Sequence, residues 1–266
     1  MNIVGISKLR HTAEKHVPPA LVALLYSLLG LKRLAKYPKF VADYRAFRRL
    51  SRGKDRPATL RWKDTLPQLN EATPTTHFDS HYTYHPAWAA RILAATNPAE
   101  HVDVSSVLSF ATLVSAFVPV RFYDYRPAQL QLDNLYCGQA DLVHLPFKDE
   151  ELSSLSCMHT VEHVGLGRYG DALDPEGDLK AMNELCRVLA PGGSLLFVVP
   201  IGQPKIHFNS HRIYSYRQVR DYFRQLSVKE FALIRDGCRG GGIVRNASEE
   251  EADCQIYGCG CFWFVK

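Results

Sequence analysis

Residues 140–165, ADLVHLPFKDEELSSLSCMHTVEHVG, and residues 184–200, ELCRVLAPGGSLLFVVP, decide how this chain folds. Two short apolar runs, Leu155 to His159 and Leu195 to Pro200, flank a helical pattern from Leu179 to Leu189. Short apolar strands alternating with helices build a parallel sheet covered on both faces. Pro191, Gly192 and Gly193 end the helix and turn the chain into the next strand, since proline cannot continue a helix and glycine accepts positive φ. Upstream the same rhythm gives strands at Val102 to Val104, Val120 to Asp124 and Gly138 to Asp141, with a helix over Val107 to Phe117. Downstream, Ser215 and Gln218 form a capping box for a helix running through Leu226. In such a sheet ligands bind beyond the carboxyl ends of the strands, where this chain places Asp103, Asp124, Asp141 and His159.

These residues occur in an order that resembles a class I S-adenosylmethionine-dependent methyltransferase. The matching features are Asp141 five residues before Pro146 in Leu145-Pro146-Phe147, the strand SLSCMHT, the pair Glu162-His163, and CRVLAPGG ahead of LLFVVP. The resemblance covers residues 97–266. It implies a Rossmann-like seven-stranded sheet with helices on both faces, closed by an antiparallel pair from Val228 to Ile234 and Ile256 to Val265. It also implies S-adenosylmethionine as cofactor. Asp103 would close the first strand, Asp124 with Tyr125 would meet the ribose hydroxyls, and Asp141 would meet the adenine amine, with Leu142 packing on the ring. Carboxylates suit these positions because hydroxyls and an amine are donors. The family's glycine-rich turn is here VDVSSVLSFAT, without a glycine, so Ser105 and Ser106 stand at the cofactor's entry. NPAEHVDVSS, YDYRP and HFNSHRIYSY further resemble a methyltransferase-like group associated with surface-polysaccharide biosynthesis.

Methyl transfer from a sulfonium is an in-line displacement, and an oxygen acceptor also needs a base. Histidine serves near neutral pH. The expected assignment is His163 as base, His159 on the cofactor, and His207 or His211 orienting the acceptor. His159, Glu162 and His163 spell H-x-x-E-H, similar to a metal-holding cluster of some O-methyltransferases, but with one carboxylate among three ligands no metal is assigned. Cys254, Cys259 and Cys261 form no CxxC pair and are likewise read without a metal. Asp79, His81, Tyr82, Tyr84 and His85 precede the first strand, as a cofactor lid or as surface aromatics. Arg239 to Gly242, RGGG, reads as a phosphate contact or as a hairpin connection.

Charge divides the chain. Residues 1–63 hold 15 of the 32 Lys and Arg and 3 of the 27 acids, a net of about +12, against about −7 for the rest. Val17 to Leu31 is apolar but shorter than the roughly 20 residues needed to span hydrocarbon. Basic residues follow it directly, which disfavours a cleaved signal peptide. Leu34, Tyr37, Val41, Tyr44 and Phe47 then recur at helical spacing among arginines. Residues 1–60 therefore read as a basic amphipathic segment, either lying on an anionic membrane surface or capping the catalytic domain. Nucleic acid is disfavoured because aromatic stacking motifs are missing. Residues 61–96 read as linker and lid, with a helix from Trp88 to Ala95, and residues 97–266 as the methyltransferase-like domain. Seven scattered cysteines fit a reducing, cytoplasmic compartment.

The expected activity is O-methylation of a sugar or lipid-linked glycan at a membrane face. A non-catalytic scaffold of the same fold, or methylation of an isoprenoid or quinone-type molecule, are the alternatives.

Overall fold

A computed structural model describes residues 34–55, 58–236 and 242–266. The apolar run Val17 to Leu31 and the run Arg239 to Gly241 lie outside the described residues. The described residues fall into two compact units that divide between Asp79 and Ser80.

In the first unit, helix α1 (Tyr37–Leu50) buries none of its residues. Its aromatic side is met by Trp62, whose ring lies 5.0 Å from Tyr44 and 6.0 Å from Phe40. Lys36 Nζ donates to Asn70 Oδ1 at 3.3 Å. Arg45, Arg48, Arg49 and Arg52 line one exposed groove. Among the described residues no helix is long and apolar enough to cross a membrane.

The second unit is built on strands β1 (His101–Val104), β2 (Val120–Asp124), β3 (Leu135–Gln139), β4 (Leu152–Met158), β5 (Leu189–Ile201), β8 (Ser227–Ile234), β9 (Ile243–Arg245) and β10 (Gly258–Val265). They form one eight-stranded sheet in the order β3-β2-β1-β4-β5-β10-β8-β9. The pairings β3-β2, β2-β1, β1-β4 and β4-β5 are parallel, while β10 runs antiparallel to both β5 and β8. This is the Rossmann-like α/β sheet expected, extended at one edge by the three-residue β9. A hairpin of β6 (Lys205–His207) and β7 (His211–Ile213) stands apart from it.

Burial on both faces explains why the central strands read as continuous apolar runs. One core packs α4 (Gly177–Val188), α5 (Tyr216–Tyr222) and α6 (Glu249–Asp253) on one face, around Leu185, Phe197, Val219 and Phe262. The other packs α2 (Ser80–Thr96) and α3 (Leu108–Val114) on the opposite face, around Trp88, Leu93, Phe110 and Val198. The capping box at Ser215 is present, with the Gln218 amide donating to Ser215 Oγ at 3.1 Å and the Ser215 amide to Gln218 Oε1 at 3.0 Å.

Three local expectations are corrected. Helix α2 starts at Ser80, not Trp88, because His81 and His85 continue the buried stripe of Trp88, Ala89, Ile92 and Leu93. The histidines interrupted its apolar signal, although their spacing is helical. Both are buried, so they are not surface aromatics, and the compact unit that contains them begins at Ser80. Gly192 and Gly193 lie inside β5, where the register against β4 shifts, and not in a turn before the strand. There the Gly192 amide donates to the carbonyl of Lys266 at 2.8 Å, which carries the end of β10 across the bulge.

Candidate active site

The order of the sheet reverses between β1 and β4, the position where a doubly wound sheet opens a crevice. An open cleft lies there, lined by Ser105, Asp124, Tyr125, Asp141, Leu142, His159 and His163 from the expected set. Arg126, Thr160, Tyr169 and Asp171 also line it. Asp103, Ser106, His207 and His211 are not among its lining residues.

The carboxylates at its mouth are held by their own turns. Asp124 Oδ1 accepts the Arg126 amide at 2.7 Å, and Asp141 Oδ1 accepts the Val143 amide at 3.1 Å. Each lines the cleft and keeps further acceptor capacity. Leu142, 5 % exposed, gives an apolar wall beside them. The loop behind it is anchored by α4: Glu184 Oε2 accepts the Leu145 amide at 2.9 Å, and Arg187 donates to the carbonyls of Phe147 and Leu145 at 2.8 and 3.2 Å.

The turn after β1 keeps its shape without glycine because Ser105 itself adopts φ 58°. Its amide donates to the Tyr123 carbonyl at 2.7 Å, and its carbonyl accepts Thr160 Oγ1 at 2.8 Å, tying β1, β2 and the loop after β4 together. A serine in the left-handed region is strained, and the surrounding bonds offset that strain. Ser106 turns inward, where its hydroxyl accepts the Met158 amide at 3.0 Å.

Asp103 is fully buried below the turn. Its Oδ1 accepts the Ser106 amide at 3.1 Å, and its Oδ2 accepts the Ser156 hydroxyl. Burial pushes this carboxyl up to about 6, against the opposing pull of its serine bonds. Ser156 also meets His101 Nε2 at 2.9 Å, and His101 Nδ1 meets Ser154 Oγ at 2.8 Å. Burial drives His101 down to about 3, so it is neutral at pH 7. The Asp103–Ser156–His101 chain crosses β1 and β4 inside the sheet and positions the turn, out of reach of the cleft.

His163 follows β4 in a short 3-10 turn (Val161–His163). Its Nδ1 donates to the Ser210 carbonyl at 2.5 Å, so in the neutral ring the lone pair is on Nε2, with Arg168 Nη1 3.4 Å from it. Burial lowers its pKa, the neighbouring Glu162 opposes this, and the Arg168 guanidinium adds to the lowering; the net shift is downward. The ring is therefore neutral at pH 7, in the form that can accept a proton. Glu162 is buried, yet His163 and His159 hold its carboxyl below the usual range despite the upward push of burial.

The loop from Val164 to Asp171 closes one side. Asp171 accepts the amides of Gly165, Gly167 and Tyr169 at 2.8, 3.3 and 3.1 Å, and these bonds outweigh partial burial and lower its pKa. Tyr169 carries the Arg126 guanidinium 4.6 Å over its ring. Buried Arg212 fixes the base of the loop, donating to the Val164 carbonyl at 2.6 Å beside Asp178. The sequence reading missed Tyr169 and Asp171; the glycine spacing of VGLGRYGD, which marks a tight loop, was the available signal.

His207 and His211 face each other across the β6–β7 hairpin, with ring centroids 4.9 Å apart. His211 meets Tyr257 at 5.0 Å, and Tyr257 stacks on His81 at 5.1 Å. They thus belong to a cluster of rings that includes His85 and His159, of which His159 lines the cleft.

Residues 148–223 match the family described as Caenorhabditis protein of unknown function, DUF268. The chain is 31% identical over 97 residues to an uncharacterized protein of Methanocaldococcus jannaschii, covering 35% of this chain and 34% of that protein. The match thus spans about a third of the relative's length. Among solved structures, it is similar to 1,6-didemethyltoxoflavin-N1-methyltransferase of Burkholderia thailandensis, with 13% identity and a TM-score of 0.48, covering 91% of this chain and 89% of that one. It is also similar to the N-methyltransferase NodS of Bradyrhizobium japonicum, with 13% identity and a TM-score of 0.47, covering 68% and 85%. Both were solved with S-adenosylhomocysteine. At these values the likeness is one of outline, and the architecture rests on the strand order itself.

Proposed function

We propose that this chain is an S-adenosylmethionine-dependent methyltransferase acting on an oxygen of a polar acceptor, of sugar or lipid-linked glycan type. The observation that carries the reading is the cleft at the sheet's reversal, which gathers Asp124, Asp141, Leu142 and His163. The residues fit the cofactor's chemistry. Asp124 would accept from ribose hydroxyls and Asp141 from the adenine amine, while Leu142 packs on the ring. Ser105 would meet the amino acid end, where a hydroxyl and backbone replace the family's glycines.

When bound, the cofactor would supply an electrophilic methyl group. His163 Nε2 would take the proton of the acceptor hydroxyl. The Ser210 carbonyl keeps the imidazole in the required tautomer. Tyr169 and Arg126 form a polar, aromatic rim suited to a hydroxylated acceptor.

Calorimetry with S-adenosylmethionine and S-adenosylhomocysteine tests this directly. Asp124→Ala and Asp141→Ala are each expected to weaken binding by about 1 to 3 kcal/mol, because each strands cofactor donors without an acceptor. No heat of binding to the wild-type chain at millimolar ligand would overturn the reading.

Residues 1–60 are proposed to rest on an anionic membrane surface. Supporting this, Leu34, Phe47 and Leu50 are 65 %, 57 % and 72 % exposed in the same segment as the arginine groove of α1. Attraction to acidic lipid is worth about 1 kcal/mol per well-placed basic residue and is screened by salt. Sedimentation with vesicles is expected to require acidic lipid and to fall as salt rises; equal binding to neutral vesicles would contradict it.

A further inference from the structure

We propose that His81, His159 and Cys259 form a zinc site, buried between α2, the end of β4 and β10. One ligand atom from each lies within 4.8 Å of the other two, and all three residues are buried. The two imidazoles lie nearly parallel, 11° apart, with centroids 5.3 Å apart.

The hydrogen bonding of His159 supplies an independent observation. Its Nδ1 donates to Glu162 Oε1 at 2.8 Å, so in the neutral ring the lone pair is on Nε2. That Nε2 is buried with no hydrogen-bond partner among the described residues, and the side chain is only 2 % exposed. A buried acceptor without a donor is costly. A cation removes the cost, and a carboxylate on the far nitrogen is the usual outer partner of a metal-bound imidazole. His85 repeats the pattern: its Nδ1 donates to the His81 carbonyl at 2.7 Å, and its Nε2 is also buried without a partner.

Two imidazoles and one thiolate select a borderline-soft divalent ion over magnesium or calcium. With zinc–nitrogen bonds of about 2.0 Å and zinc–sulfur of about 2.3 Å, ligand atoms in a tetrahedron stand roughly 3.3 to 3.6 Å apart, so binding draws the three side chains together and turns the stacked imidazoles until both ring planes contain the ion. Three protein ligands leave one position for solvent or an acceptor oxygen. His159 lines the cleft as well as this cluster, which puts the ion at the cleft's inner wall. The residues overlap with the proposed cofactor site only at His159, and the site does not require that proposal to hold.

The test uses the full chain, stripped with a chelator, dialysed against zinc alone without cofactor, and analysed for metal content. One equivalent is expected. Cobalt in place of zinc is expected to give a thiolate charge-transfer band in the near ultraviolet. His159→Ala and Cys259→Ser should each weaken zinc binding at least about 100-fold, and Glu162→Gln about 10- to 100-fold. Cys261→Ser, removing the other buried thiol of β10 3.9 Å away, should leave binding intact. Failure of the wild-type chain to retain zinc, a cobalt spectrum without the thiolate band, or equal losses in Cys259→Ser and Cys261→Ser would overturn the proposal. The wild-type readings hold even if a variant misfolds, and cofactor titration of the stripped chain separates this result from the methyltransferase reading.

Discussion

Gly165→Ala is expected to destabilise the second unit by about 2 to 5 kcal/mol and to weaken every ligand of the cleft with it. Gly165 has φ +78°, and a Cβ there would stand 2.0 Å from the Asp174 carbonyl oxygen. Left-handed backbone costs a residue with a side chain roughly 1 to 2 kcal/mol, and forcing atoms into packed space adds about 1 to 3. The obstacle is backbone and cannot rotate away; the Asp174 amide also donates to the Gly165 carbonyl at 3.0 Å. Gly177 presses from another side, since its own Cβ would come within 3.1 Å of the Gly165 Cα. The clash must therefore displace the loop that carries Val164, Tyr169 and Asp171 into the cleft. Gly170→Ala is the control: φ is +85° but nothing lies within 4 Å, so only the backbone cost of about 1 to 2 kcal/mol applies. Urea unfolding midpoints measure both. Equal losses in the two variants would show that close approach at Gly165 is not what the loop depends on.

The second large effect is a pair of opposite pH responses in the Asp103–Ser156–His101 chain. His101 is lowered from 6.5 to about 3, so the fold prefers it neutral. Its stability contribution is complete above pH 6.5 and is lost as pH falls toward 3. Asp103 is raised from 3.8 to about 6, so the fold prefers it protonated, and stability is gained as pH falls from 6 toward 3.8. At about 1.4 kcal/mol per pH unit, going from pH 7 to 4.5 costs about 2.5 kcal/mol through His101 and returns about 2 through Asp103. The two nearly cancel. His101→Gln, which still spans the two serines but cannot titrate, should gain about 2.5 kcal/mol relative to wild type over that interval. Asp103→Asn should lose about 2. Denaturant titrations at the two pH values give the comparison, and parallel slopes in all three proteins would contradict it.

Both effects depend on contacts between residues distant in the chain, which sets the limit of what the sequence discloses. The strands that read as apolar runs are those buried on both faces, as in LLFVVP of β5, where seven consecutive positions from Leu195 to Ile201 are buried. The closing pair, the capping box at Ser215 and the acids at the ends of β1 and β2 were legible for the same reason: each is a local pattern. The hairpin β6–β7 and edge strand β9 were not, because three-residue strands leave no periodicity to read. Helix α2 was half legible, since His81 and His85 hid its first two turns.

The amino-acid sequence by itself determined the alternation of strand and helix, hence a parallel sheet covered on both faces, and it placed Asp124, Asp141 and His163 at strand ends beside one crevice. Only the tertiary structure decided what each polar residue faces. Asp103 and Asp124 both stand near strand ends, yet the register of β1 against β4 sets Asp103 opposite Ser156 and buries it, while Asp124 lines the cleft. Ser105 takes the left-handed backbone that a glycine was expected to supply, because bonds to Tyr123 and Thr160 hold it there. Likewise His211 and His81 are far apart in the chain and carry no shared motif, but packing sets both against Tyr257. Burial and partner are properties of the assembled sheet, and a one-dimensional pattern specifies only the face on which a side chain begins.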